Sequence, residues 1–202
     1  MKVSQELCVT ETTTTMNYKH TCSAALFGLM IVSCSNQKMS LQTSDSSVYQ
    51  SPLSAQVYKD SNLYRNEVGA GTLQRHAGLD RLALQHCEYL RANRGKFNLH
   101  GKNVSHSGSE GRSMMAMKAF QMLNCSENVA WTSTTGSDAV TSSSLLTLWK
   151  RSSSHDAALR DPSWTHTGVG TLRDADGTVF ATQLFGTANR SQMIMRDRFN
   201  SF

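Results

Sequence analysis

Seven histidines stand at positions 20, 76, 86, 100, 106, 155 and 166, and imidazole is the side chain that gains and loses a proton near neutral pH. His155 lies between Ser154 and Asp156, so nucleophile, base and orienting acid are present as types. Neighbours in sequence cannot form the hydrogen-bonded relay which that chemistry needs, so the tripeptide is a coincidence. Gly-x-Ser-x-Gly, His-Glu-x-x-His and a Gly-rich phosphate loop do not occur in the sequence. His86 falls on the apolar side of a helical pattern and reads as a core histidine, while His76, His100 and His166 show no partner pattern. Five cysteines, at 8, 22, 34, 87 and 125, include no Cys-x-x-Cys pair, which excludes a zinc ribbon. Any chemistry must come from groups that the fold gathers from distant positions.

The elements able to do that are legible in part. Val57, Ser61, Tyr64 and Val68 share a helical stripe that Gly69 and Gly71 stop. Leu79, Leu82, Ala83, His86 and Leu90 predict a second helix ending near Gly95. Residues 96 to 110 read as a loop, followed by a third helix over 110 to 123 with Met114, Met115, Met117 and Met122 as adaptable core. Glu127 to Trp131 reads as a short strand or extended segment. A helix from Ser137 to Ser152 is expected to bury Leu145, Leu148 and Trp149. Thr167–Arg173 and Thr178–Phe185 flank Asp174-Ala175-Asp176-Gly177 and predict a hairpin. Trp131, Trp149 and Trp164 read as core or cleft wall. Helices first and antiparallel strands later point to an α+β layered domain.

The formal charge is +5 over 202 residues, with the positives scattered, as at Arg91, Arg94, Lys96 and Lys102. Nucleic-acid binding asks for a clustered basic footprint, so it is excluded as a function class. Met16-Asn17-Tyr18-Lys19-His20 followed by the apolar run Ala24 to Val32 resembles a signal segment, too short to span a bilayer. The true start is then possibly Met16. Ile31-Val32-Ser33-Cys34 resembles a bacterial lipobox, which implies cleavage after Ser33 and lipidation of Cys34. Two or more acyl chains hold a soluble domain on a membrane. The expected product is an exported lipoprotein facing the periplasm or cell exterior, the alternative being a secreted protein. The expected organisation is a signal segment over 1–33, a flexible tether over 34–55, a folded domain over 56–187 and a tail over 188–202. Cys87 and Cys125 form either a disulfide or two buried thiols.

Six pieces, in order, carry a family resemblance. They are Asn62-x-x-Arg65-x-x-x-Gly69, the helix Leu79 to His86, Ser105-His106-Ser107, Ser126-Glu127-Asn128-Val129-Ala130, Trp149-x-x-Ser152-x-x-His155, and the strand pair Thr167-Gly168-Val169-Gly170 with Gln183-Leu184-Phe185-Gly186. Together they resemble the CAP superfamily of cysteine-rich secretory, antigen-five and pathogenesis-related proteins, also called SCP-like. The resemblance covers roughly residues 56 to 187 and implies a single α-β-α sandwich around a central antiparallel sheet.

It also implies a concave cleft in which His106, Glu127 and His155 meet, bordered by Ser105, Asn128 and Ser152. Two imidazoles and a carboxylate suit Zn²⁺ with open positions, held by His106 and His155. They equally suit a proton-transfer set in which Glu127 fixes one imidazole tautomer. Ser152 stands where many relatives carry a second Glu, which lowers the charge of the site. Three functions follow as expectations. The first is a binding module for a lipid, a cell-wall glycan, a peptidoglycan fragment or a divalent metal. A hydrolase using the same three residues, with or without Zn²⁺, is the second, and a non-catalytic scaffold the third.

Overall fold

Ser51 opens the first helix by accepting a hydrogen bond from the Ser54 amide at 3.0 Å, and Pro52 supplies the fixed φ of a first helical residue. The computed structural model describes residues 50–94 and 104–199. Its elements are α1 (Pro52–Glu67), β1 (Gln74–Arg75), α2 (Ala77–Ala92), a 3₁₀ turn (Val104–His106), α3 (Ser109–Phe120), β2 (Met122–Ser133), α4 (Asp138–Arg151), α5 (Ser153–Arg160), β3 (His166–Arg173), β4 (Thr178–Ala188) and α6 (Arg190–Phe199). The signal segment, Cys34 and most of the expected tether lie outside the described residues. Chain order begins at Pro52, four residues before the expected boundary, because Ser51 caps there. The segment after 188 carries α6.

The sheet is mixed, in the order β1-β3-β4-β2: β1 runs parallel to β3, and the other pairs are antiparallel. β4 lies inside and is buried along both faces. Val179, Ala181 and Phe185 pack against α1, α4 and α5 through Val57, Leu145, Trp149 and Leu159. Leu184 packs on the other side with Leu79, Leu82 and Ala83 of α2 and Ala116 of α3. This alternation is the period-two geometry of a strand between two helical layers. The α-β-α sandwich is as expected, with the short parallel β1 as an addition.

α2 rests directly on the backbone of β3. A Cβ on Gly168 would lie 2.2 Å from the Asp80 nitrogen, and one on Gly170 would lie 2.2 Å from the Leu84 nitrogen. The fully buried Asp80 accepts the Val169 amide at 2.8 Å and pairs with Arg75 at 3.0 Å. Two motif residues are also structural. Asn62 hydrogen-bonds both the amide and carbonyl of Leu73, and the buried Arg65 donates to the carbonyls of Ala70, Gly71, Leu159 and Asp161.

Three expectations need correction. Met114, Met115 and Met117 are exposed, because α3 leans on its neighbours through Ala116 and Phe120 and turns its other sides outward. Leu148 is exposed while Leu145 and Trp149, four apart, share the buried face of α4. Trp131 is 61% exposed near the end of the edge strand β2, neither core nor closed wall. Of the two readings for the cysteines the thiols hold: Cys87 and Cys125 are both free, Cys87 buried against the Gly170 carbonyl and Cys125 half-buried.

Gly168→Ala or Gly170→Ala is expected to cost at least about 3 kcal/mol, since backbone must move to admit the methyl group. Thermal or denaturant melts check this, and an Ala variant as stable as wild type would contradict the close approach.

Candidate functional site

β2 is an edge strand, and successive residues on it point to opposite faces. Glu127, paired with Leu184 of β4, turns toward the layer of α2 and α3, and Asn128, paired with Gln183, turns toward α4 and α5. Each then holds a different histidine. His106 Nδ1 lies 2.8 Å from Glu127 Oε1. An ionised carboxylate only accepts, so Nδ1 carries a proton, and in the neutral tautomer Nε2 is the acceptor nitrogen. Asn128 donates through Nδ2 to the His155 carbonyl at 2.9 Å, which fixes the first turn of α5. The two imidazoles face each other with ring centroids 5.8 Å apart and planes inclined by 48°. His106, Glu127 and His155 are thus brought together, from a 3₁₀ turn, an edge strand and a helix start.

Arg112 is the residue that sequence reasoning missed. Gly108 takes φ +75°, turning the chain after His106 into α3 so that Arg112 comes back over Glu127. Its Nε donates to Oε2 at 2.8 Å and its Nη2 to Oε1 at 2.7 Å, while Nη1 holds the Ser107 carbonyl at 2.8 Å. This is the bidentate fork that arginine makes with a carboxylate. Burial pushes the Glu127 carboxyl up, but the donors on His106 and Arg112 outweigh it and hold the group below its usual range. Its only advance signal was an arginine in the first turn of a helix after the Ser-His motif.

His86 is a core histidine, as its stripe suggested, and it also positions the site. Its Nε2 meets the Ser105 carbonyl at 2.5 Å, and its ring stacks on Tyr89, whose hydroxyl reaches Ser107. Because that nitrogen faces a carbonyl it donates, leaving the buried Nδ1 without a partner among the described residues. Burial lowers the His86 pKa, and burial followed by the neighbouring His106 lowers that of His155. Both shifts favour the uncharged ring. Ser152 caps the junction of α4 and α5 and its hydroxyl lies 3.2 Å from that of Ser154. The Ser105 backbone is held by His86, as described.

The residues present do not fit a catalytic zinc centre. Such a centre takes three protein ligands and an open position. Both oxygens of Glu127 are engaged by Arg112 and His106, which leaves the two imidazoles, one ligand short of such a centre. Among the described residues no group of three or more His, Cys, Asp or Glu is gathered to hold a metal ion.

No protein-family model and no curated protein matches the sequence. Among solved structures, an extracellular protein containing an SCP domain from Bacillus anthracis is 20% identical, with a TM-score of 0.50 over 67% of this chain and 40% of that one. An outer surface protein from Borrelia burgdorferi is 19% identical, with a TM-score of 0.48 over 66% of this chain and 90% of that one. A cysteine-rich secretory protein from Staphylococcus aureus is 16% identical, with a TM-score of 0.47 over 66% of this chain and 38% of that one. The chain thus spans about two fifths of the Bacillus and Staphylococcus proteins. At these identities the likeness speaks for the fold.

Arg112→Met is expected to cost about 3 kcal/mol by stranding the Glu127 charge in a mostly buried place. Adding Glu127→Gln is expected to recover most of that loss, because the stranded group is then neutral. Denaturant unfolding of both single variants and the double checks this. A double variant as unstable as Arg112→Met alone would contradict the clasp.

Proposed function

We propose that this chain, which has the fold of the SCP/CAP domains, is an exported binding module. Its cleft, between His106 and His155, recognises a polar cell-envelope ligand, a glycan or peptide fragment, and releases it unchanged. The observation that carries this reading is the Arg112 fork on Glu127. It neutralises the carboxylate and withdraws it from metal binding and proton transfer. What remains is a pair of imidazoles, His106 presenting an acceptor nitrogen in its neutral tautomer and His155 shifted toward the uncharged ring. Such groups hydrogen-bond hydroxyls and amides without demanding charge in the ligand. A cleft of this kind favours glycans and peptides over lipids.

Export is supported by the Ile31-Val32-Ser33-Cys34 sequence and by the Bacillus anthracis neighbour, itself an extracellular protein. Among the described residues no helix is long and apolar enough to cross a membrane. In this reading the lipid on Cys34 supplies the membrane attachment.

One observation favours a second reading. Glu127, His106 Nδ1 and a free Nε2 stand in the order of a base with its orienting acid, which is the arrangement of a hydrolase. The two readings part on product formation. Soluble peptidoglycan fragments titrated into the protein are expected to bind saturably, at least about tenfold more weakly in His106→Ala/His155→Ala, which corresponds to two lost hydrogen bonds. Mass spectrometry of the recovered fragments is expected to find them intact. Cleaved fragments with wild type and none with the double variant would establish the hydrolase instead. Equal binding by both proteins would remove the cleft from the account.

A further inference from the structure

A hollow lies at the other edge of the sheet from the His106–His155 pair. It has a volume of about 550 Å³, within the range of small-molecule sites, and opens where the 70–74 loop, the 162–166 segment and the β4–α6 junction meet. Gln74, Trp164, His166 and Arg190 line it, and no carboxylate does. Among the described residues, Arg190 makes no ion pair and the Gln74 side-chain amide no hydrogen bond, so a cation and an amide stand there uncommitted.

The wall is flat and apolar beside those polar groups. The Trp164 ring stacks on Phe185, with centroids 6.2 Å apart and planes inclined by 26°. Its indole N–H is satisfied inward, donating to the Ala158 carbonyl at 3.0 Å. The indole thus has Phe185 beside it and also forms part of the wall of the hollow. His166 spends Nδ1 on the Thr165 hydroxyl at 2.8 Å, so Nε2 is the ring nitrogen left to a ligand. Burial and the charge of Arg190 lower the His166 pKa, which is the response of an imidazole sharing its surroundings with an uncompensated cation.

We infer that this hollow is a binding site for a small organic carboxylate with a flat apolar body. Arg190 grips the carboxylate with its guanidinium fork, Trp164 stacks on the body, and His166 Nε2 and the Gln74 amide hydrogen-bond the polar edge. An anion entering the hollow meets no carboxylate among the lining residues, and it supplies the ion-pair partner that Arg190 lacks among the described residues. The site is separate from the His106–His155 pair and does not rest on the reading of that pair, since Glu127 sits on the β2 edge, held by His106 of the 3₁₀ turn and Arg112 of α3, and this hollow belongs to the β1 edge.

The test is a titration of the full chain with benzoate and, separately, with acetate, followed through the Trp164 indole N–H resonance, assigned with Trp164→Phe. Benzoate is expected to shift that resonance saturably at millimolar concentration or below, as suits so small a ligand. Arg190→Gln, a change at an exposed helix position, is expected to weaken benzoate by about tenfold. Acetate, which lacks the flat body, is expected to bind at least about tenfold more weakly than benzoate. His106→Ala is expected to leave the benzoate curve in place. No saturation, an Arg190→Gln curve equal to wild type, acetate binding as tightly as benzoate, or loss of binding in His106→Ala would each overturn the proposal.

Discussion

A carboxylate on an edge strand cannot be buried without compensation, and much of this molecule is arranged around compensating Glu127. Its side chain is 7% exposed, far below what an isolated ion tolerates. Arg112 must therefore arrive from α3 and His106 from the turn before it. That requirement explains the left-handed Gly108 between them and the His86 hydrogen bond that steadies the Ser105 carbonyl. It also sets the chemistry. A paired carboxylate orients an imidazole well and ligates a metal poorly, so the same interaction that lets Glu127 be buried leaves it as an orienting group for His106.

The scaffold that holds these pieces depends on a second constraint, the distance between α2 and the sheet. Two glycines on β3 let the helix lie against bare backbone, and the buried Asp80 ties it to the Val169 amide across that contact. α2 carries His86 into position from there. On the opposite layer, Arg65 spends its guanidinium on four backbone carbonyls, joining the end of α1 to the end of α5, whose start carries His155. Motif residues that look chemical in the sequence, Asn62 and Arg65, are thus fasteners of loops. The chemistry sits on residues they hold in place only indirectly.

Much of the fold was legible because its signals are local. The Leu79 to Leu90 stripe is strongly periodic and marks α2, and the Asp174 to Gly177 turn sits between two β-rich runs and marks the hairpin. Other elements left little trace. β1 has two residues, too few for a period, and α5 buries only Leu159, so no stripe announces it. The methionines of α3 misled because apolar type was read as burial, whereas the helix makes its contacts through Ala116. At the site, His106, Glu127 and His155 lie 21 and 28 positions apart, and only the order of family motifs linked them. Arg112 had no such motif. Its role exists only once a turn brings α3 back over the strand, which is information that pairwise spacing does not hold.

The central claim is that the Arg112 fork makes this cleft a site for hydrogen-bonded ligands and withdraws it from metal chemistry. Calorimetric titration of the full chain with Zn²⁺ at neutral pH tests it most directly, with His106→Ala/His155→Ala beside the wild type. The account predicts no saturable 1:1 heat from the cleft, so the two proteins should give the same weak trace. Saturable 1:1 binding by the wild type that disappears in the double variant would contradict it.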